Sequence, residues 1–451
     1  MKKVISLCLI FATVLALTAC GKKDEKPDAG TVKTGSVYFL NFKPEVADIY
    51  KEIAAEYKKE TGVDVRVVTA ASNTYETTLK SEIAKNNAPT IFQINGPVGY
   101  KAWADYCEDL SDTKLYSYLS DKNLAVKNDK GVFGIPYVVE GYGIIYNNAI
   151  MEKYFALKDK AVSISKATDI KDFETLKTVV EDMTKHKKQL GIDGVFASTS
   201  MGSGEQWRWT NHLASVPVYY EMKKASDDST IVSTLDQNEI GFTHSKNFKN
   251  IFDLYLNNST TAKGLLSGKS VDNAMAEFAL GKAAMVQNGN WAWEQIAKVG
   301  GNAVKAEDIR FMPIYTGVEG EEKQGLCIGT ENYLAINKNA SAEDKKASIA
   351  FLEWLFSSEK GKDFVVNRLK FISPFNTFKD DEMPEDPLAR EILSWMKKDV
   401  NNLEWTFNSF PSQQFRDDVG NALLEYVQGS RDWSHIEQTF RTSWKNERNA
   451  K

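Results

Sequence analysis

Cysteine is scarce: four in 451 residues, two of them within the first twenty, are too few for a disulfide framework. Cys107 and Cys327, the two that remain, form one bond or none. The four histidines, His186, His212, His244 and His435, lack zinc-ligand spacing and read as surface or packing residues, so neither a metal nor a cofactor is expected. After Leu17 no apolar run approaches the ~20 residues of a membrane-spanning helix. Excess positive charge is missing too: 56 Lys and Arg stand against 61 Asp and Glu with the signs mixed along the chain, which leaves no field for nucleic acid. Nor is there a GxxxxGK[ST] phosphate loop or an internal repeat, so any nucleotide-driven step belongs to another chain.

What the N-terminus does contain is Lys2 and Lys3, then the apolar run Val4 to Leu17, too short to span and suited to a secretory signal over 1–19. Leu17-Thr18-Ala19-Cys20 resembles the lipobox of bacterial lipoproteins, which makes Cys20 the expected lipidation site. Residues 20–35 are charged, contain Pro and Gly, and have almost no large apolar side chain, as a flexible tether requires. The expected location is the extracytoplasmic face of the cell membrane, held by a lipid anchor.

The body is long enough for more than one domain and alternates strand and helix signals. Val37 to Leu40 reads as a strand, and a helix opens at Pro44 and closes at Thr61-Gly62 with Val46, Ile49, Ile53 and Tyr57 on one face. Val63, Val65 and Val67 alternate as a second strand, a helix follows over 74–86, and Thr90 to Ile94 reads as a third strand. This order implies a largely parallel α/β sheet, with ligands beyond the strand ends near Asn41, Tyr75 and Asn95. In 132–154 two β-rich runs flank Glu140-Gly141-Tyr142-Gly143, where the chain is expected to bend between lobes. The densest aromatic and polar cluster is Asn288-Gly-Asn-Trp-Ala-Trp-Glu294. Indole faces beside carboxamides and a carboxylate suit a pyranose, which has apolar C–H faces and a hydroxyl rim.

These features together are similar to the carbohydrate-binding, maltodextrin-binding-protein-like group (family 1) of extracellular solute-binding proteins of bacterial ABC importers. The resemblance rests on the lipobox, Lys59-Glu-Thr-Gly62 before a Val-rich strand, Gly134-Ile-Pro-Tyr-Val-Val-Glu140 with Ile144-Ile-Tyr-Asn147, Gly281-Lys-Ala-Ala-Met285 through Trp293, and Phe351-Leu-Glu-Trp354. It implies an α/β, two-lobed periplasmic-binding-protein-like fold with a ligand cleft between lobes joined by crossing strands. The N-terminal lobe is expected over 36–139 plus 327–380 and the C-terminal lobe over 140–326 plus 381–451, with crossings at Tyr137–Gly143, at Gly325–Tyr333 and near 379–385. It also implies a monomer that binds a carbohydrate and hands it to a separate ABC permease and transport ATPase.

By the same resemblance Trp291 stacks on sugar, Glu140, Trp207 and Trp405 reach the ligand, and Asn41, Lys43 and Asn95 stand at strand ends. Asn290 replaces the family's more usual Pro and adds a donor, Ser373 reaches the cleft or forms a turn, and Trp293 packs in the core. The maltodextrin-type charged pair after the third strand is replaced by Asn95-Gly-Pro97, which points to a different sugar. Two alternatives stand beside this reading. One is a secreted glycoside hydrolase using Glu140 and Glu205, and the other a binder of a non-sugar solute such as ferric ion through Tyr219 and Tyr220.

Overall fold

Pro44 fixes φ at a chain entry where no backbone donor is needed, and a 3₁₀ turn over Pro44–Val46 runs into the helix Ala47–Thr61. Gly62, at φ 74°, ends that helix in the left-handed conformation that glycine adopts without strain. Ile53 and Tyr57 on its inner face are buried, as their spacing requires. The computed structural model describes residues 35–71, 74–225, 234–235, 237–379 and 381–449. The expected signal segment, Cys20 and nearly all of the tether lie outside the described residues.

The described residues form twelve strands: β1 (Val37–Asn41), β2 (Val65–Thr69), β3 (Ile91–Ile94), β4 (Val126–Asn128), β5 (Gly131–Gly134), β6 (Glu140–Asn147), β7 (Gly194–Phe196), β8 (Ala283–Gly289), β9 (Ile309–Met312), β10 (Gln324–Gly329), β11 (Tyr333–Ile336) and β12 (Asn401–Leu403). One sheet has the order β11-β3-β1-β2, in which β1 pairs in parallel with β2 and β3 while β11 lies antiparallel to β3. The other has the order β12-β10-β6-β8-β7, with β9 also on β6, and β4 and β5 form a separate hairpin. The expected parallel arrangement therefore holds for β1 to β3, while the second sheet is mixed: β7 with β8 and β10 with β12 are parallel, and β6 runs antiparallel to β8, β9 and β10. Strands that arrive from the other sheet need not follow the βαβ rule that enforces parallel pairing.

The two sheets are joined by short extended segments. Ile135 bridges Leu334 of the first sheet, Val139 bridges Ile372, and Glu140 opens β6 in the second. Thr330, Glu331 and Asn332 make the return from β10 to β11, with Asn332 at φ 57°. The break in the 132–147 run thus falls at Pro136 to Val138 and not at Glu140-Gly141-Tyr142-Gly143, which is continuous strand. Proline has no N–H for a ladder, whereas the two glycines serve close packing. A Cβ at Gly141 would lie 2.4 Å from Ile392 Cδ1, and one at Gly143 would lie 2.6 Å from the Met312 carbonyl oxygen. Cys327 to Gly329 pair with Tyr142 to Glu140 in the second sheet, three residues past the boundary expected at 326/327.

Separate apolar clusters support the two sheets, one set around Phe39, Ile53, Ile91 and Phe351, the other around Ile144, Val195, Met285 and Phe252. Cys107 and Cys327 are both buried and both free, in different clusters. Among the described residues no helix is long and apolar enough to cross a membrane.

Candidate functional site

A cavity of about 410 Å³ opens where the two sheets meet. That volume falls within the range of small-molecule sites. Phe42, Lys43, Pro44 and Glu45, directly after β1, and Ala71, after β2, line one side. Trp207, Asn211, His212, Asp272, Trp291 and Gln295 line the other, with Glu331 of the return crossing between them.

The Lys43 backbone is held by Asn41. The Asn41 side-chain oxygen accepts the Lys43 N–H at 3.1 Å, and its amide donates to the Lys43 carbonyl at 2.8 Å and to Thr69 Oγ1 at 3.1 Å. Lys43 Nζ then donates to both carboxylate oxygens of Glu140, at 2.8 and 3.0 Å, with both side chains almost fully buried. Glu45 lies 3.7 Å from the same ammonium. Burial works against the Lys43 charge, yet Glu140, Glu45 and Glu331 more than offset it and raise its pKa. Burial also lifts Glu140 while Lys43 pulls it down. The two-point contact suits the charged pair, since an ionised carboxylate accepts through both oxygens. Glu331 is pushed up to about 7 by burial, reinforced by Glu140 and Glu45 and opposed by Lys43 and Arg416.

The opposite wall is aromatic. Trp207 and Trp291 stand with ring centroids 6.4 Å apart at 49°. Trp291 owes its pose to Gly289: a Cβ there would lie 2.2 Å from two indole carbons, so the ring rests directly on the strand backbone. Asn290 ties this turn to β6, its side chain accepting the Gly141 N–H at 2.9 Å and its own N–H donating to the Gly141 carbonyl at 3.0 Å. Behind the indoles His212 stacks on Tyr142 at 4.2 Å and 13°. Burial, then Arg208, Lys43 and Arg416, lower its pKa to about 3, which keeps the imidazole neutral.

Of the residues expected from sequence, Lys43, Trp207 and Trp291 line the cavity. Asn41, Asn290 and Glu140 lie behind that lining and hold it. Tyr75 is buried, with its hydroxyl donating to the Leu40 carbonyl at 3.3 Å and accepting the Gln93 N–H at 2.6 Å, and its ring meets Phe42 edge-on. Three others do not line it. Trp405 is 1% exposed, packed over Gly329 and against Phe407. Ser373 Oγ accepts the Phe375 N–H at 3.2 Å and so forms the turn. Asn95 precedes the helix Gly96–Trp103 without capping it. Trp293, expected in the core, is half-buried and packs against the apolar cluster around Met275, Phe278 and Ile296.

Sequence reasoning missed Glu45, Asn211, His212, Asp272, Gln295 and Glu331. Glu331 could have been found, since it sits in the expected crossing. Asn211 and His212 could not, because they share the cavity only through a π-helical turn over Arg208–Leu213, whose wider spacing leaves no mark in an α-helical pattern. Three of the four residues of the two alternatives are otherwise engaged. Glu140 holds Lys43, Glu205 accepts the Val271 N–H at 2.9 Å, and the Tyr220 hydroxyl donates to Gln324 at 2.7 Å. Among the described residues no group of His, Cys, Asp and Glu could hold a metal ion.

A family model described as bacterial extracellular solute-binding protein matches residues 52–391. A melibiose/raffinose/stachyose-binding protein, MelE of Bacillus subtilis strain 168, is 25% identical over 276 residues. That match takes in 52% of this chain and 61% of the length of MelE. Among solved structures, a solute-binding protein RafE in complex with raffinose superposes with TM-score 0.69 at 18% identity, over 92% of this chain and 100% of that one. A sugar transporter protein from Bacillus licheniformis in complex with stachyose gives TM-score 0.69 at 15% identity, over 91% and 100%. These likenesses establish a two-lobed binding-protein fold.

Proposed function

Because this chain belongs to the bacterial extracellular solute-binding protein family, we propose that it captures an oligosaccharide between its lobes and delivers it to an ABC importer. The observation that carries this reading is the paired indoles of Trp207 and Trp291 on one wall of a cavity whose other wall bears Lys43 and Glu45. Aromatic planes cover the apolar faces of a pyranose, and polar groups around them meet its hydroxyls. The sugars named for MelE and for the two solved complexes support an oligosaccharide.

On this reading the lobes, divided near 139/140 and 329/330, close about the sugar through the segments at Pro136 to Val138 and Thr330 to Asn332. The chain works as a monomer, and the permease and ATPase are separate chains. It binds without turning over its ligand, since Glu140 and Glu205 are both committed to internal contacts. A thermal-shift screen against neutral mono- and oligosaccharides tests the reading, because a ligand that binds only the folded state raises the melting temperature. A screen with no hit overturns it, and hydrolysis products in the same samples would make the chain an enzyme. Anchoring through Cys20 is part of the proposal. Cys20→Ala should leave the protein sugar-competent and unlipidated, and undiminished lipid labelling of that variant would refute the anchor.

A further inference from the structure

Three side chains of the cavity wall keep a buried polar atom with no protein partner: Asn211 Oδ1, His212 Nδ1 and Gln295 Oε1. Buried polar atoms are ordinarily hydrogen-bonded, so three around one cavity demand a cause. Arg208 Nε and Trp405 Nε1 beside this wall lack a partner as well, whereas other groups behind it are paired. Gln287, close behind, donates to the Arg208 carbonyl at 3.0 Å and accepts from the Tyr255 hydroxyl at 2.8 Å.

His212 makes the point most sharply. It is 4% exposed, its ring lies flat on Tyr142, and Trp207, Phe407 and Trp291 surround it at 5.1, 5.2 and 5.3 Å. A phenyl ring would fill this aromatic box without leaving a nitrogen unpaired. The π-helical turn brings Asn211 and His212, adjacent in sequence, to the same cavity, and such turns recur at functional sites. Neutral imidazole and carboxamides present one another's complement, a donor and an acceptor each, and carry no charge that would favour an ionic ligand.

We infer that Asn211, His212 and Gln295 are the side of the cleft that reads hydroxyls, pairing with the rim of an uncharged sugar ring seated against Trp291 and Trp207. This rests on the sugar-binding reading and deepens it. Lys43 and Glu140 satisfy each other, and apart from the indoles these three side chains are the uncharged hydrogen-bonding groups of the lining. A site built to pair a hydroxyl rejects an analogue without it, because the buried groups then stay unpaired.

The test uses raffinose, or whichever neutral saccharide of the screen the wild-type chain binds best, in calorimetric titrations of wild type, His212→Phe, His212→Gln and Gln295→Leu, with sugar-free melting curves for each. His212→Phe is expected to melt no lower than wild type and to bind at least tenfold more weakly. His212→Gln, which keeps a donor and an acceptor, is expected to recover part of that loss. Gln295→Leu lies outside the aromatic box and should also bind at least tenfold more weakly, which keeps the inference open to refutation if His212→Phe fails to fold. Undiminished affinity in the apolar variants that fold, while wild type binds, overturns this assignment alone. A wild-type chain that binds no saccharide overturns the sugar-binding reading and this inference with it.

Discussion

Replacing Lys43 by Met removes the cation that Glu140 was buried against, and the size of the effect follows from how Glu140 can respond. A buried carboxylate without a partner does not stay charged but takes up a proton. The penalty is therefore bounded by the free energy of protonating a carboxyl of ordinary pKa about 4.3 at the working pH, about 1.4 kcal/mol for each unit between them. At pH 7 that bound is about 3.7 kcal/mol, and at pH 5 about 1 kcal/mol. The sign is that of a carboxyl whose folded pKa is raised above its unfolded one: the variant loses stability as pH rises through the window from about 4.3 to about 7. Urea melts of wild type and Lys43→Met at pH 5 and pH 7 measure the difference. Glu140→Gln should cost less than Lys43→Met, because Lys43 keeps Glu45 at 3.7 Å and Glu331 close by. The double variant Lys43→Met with Glu140→Gln should recover much of the single variant's loss at pH 7. A Lys43→Met cost that is the same at both pH values, or under about 1 kcal/mol at pH 7, would refute the buried-pair argument.

Gly289→Ala should displace the Trp291 indole, since a Cβ would lie 2.2 Å from it, and should weaken sugar binding about tenfold with little change in unfolding midpoint. Tryptophan near-UV dichroism and calorimetry check both parts. Trp291→Ala should lose the contact worth about 1.5–3 kcal/mol for a large apolar side chain, a ten- to hundredfold loss of affinity, whereas Trp293→Ala should leave affinity near wild type. Equal binding by wild type and Trp291→Ala would remove the indole from the site. Glu331, with a folded pKa of about 7, holds a proton that the unfolded chain releases between about pH 4.3 and 7, so it lowers stability as pH rises through that window. Glu331→Gln should flatten the stability profile over that range and be more stable than wild type at pH 8, by about 1–3 kcal/mol. Parallel profiles for the two proteins would show that Glu331 titrates normally.

Much was legible in the chain itself because it is governed by local rules. The helix from Pro44 to Gly62, the strands at β1, β3, β10 and β11, and the two-lobed order follow from hydrophobic period, from proline and glycine chemistry, and from resemblance along the chain. Trp291 and Trp207 were recognisable by residue type, because few other side chains offer a flat apolar face to a sugar. What sequence could not decide is which polar residues meet across the cleft. Lys43 and Glu140 are 97 positions apart, and nothing short of the placement of the end of β1 beside the start of β6 makes them a buried pair. The same lack made Glu140 and Trp405 candidates to reach the ligand, whereas in the fold Glu140 is engaged by Lys43 and Trp405 packs over Gly329. Asn211 and His212 came to the cavity through a π-helical turn that adds one residue to the helical period, a backbone choice set by packing. Gly289 carried no signal of its own in the sequence, yet its missing Cβ is the seat of the Trp291 ring. Residue types and local periods belong to the chain; the partner each polar group finds depends on distances that exist only once the two sheets have met.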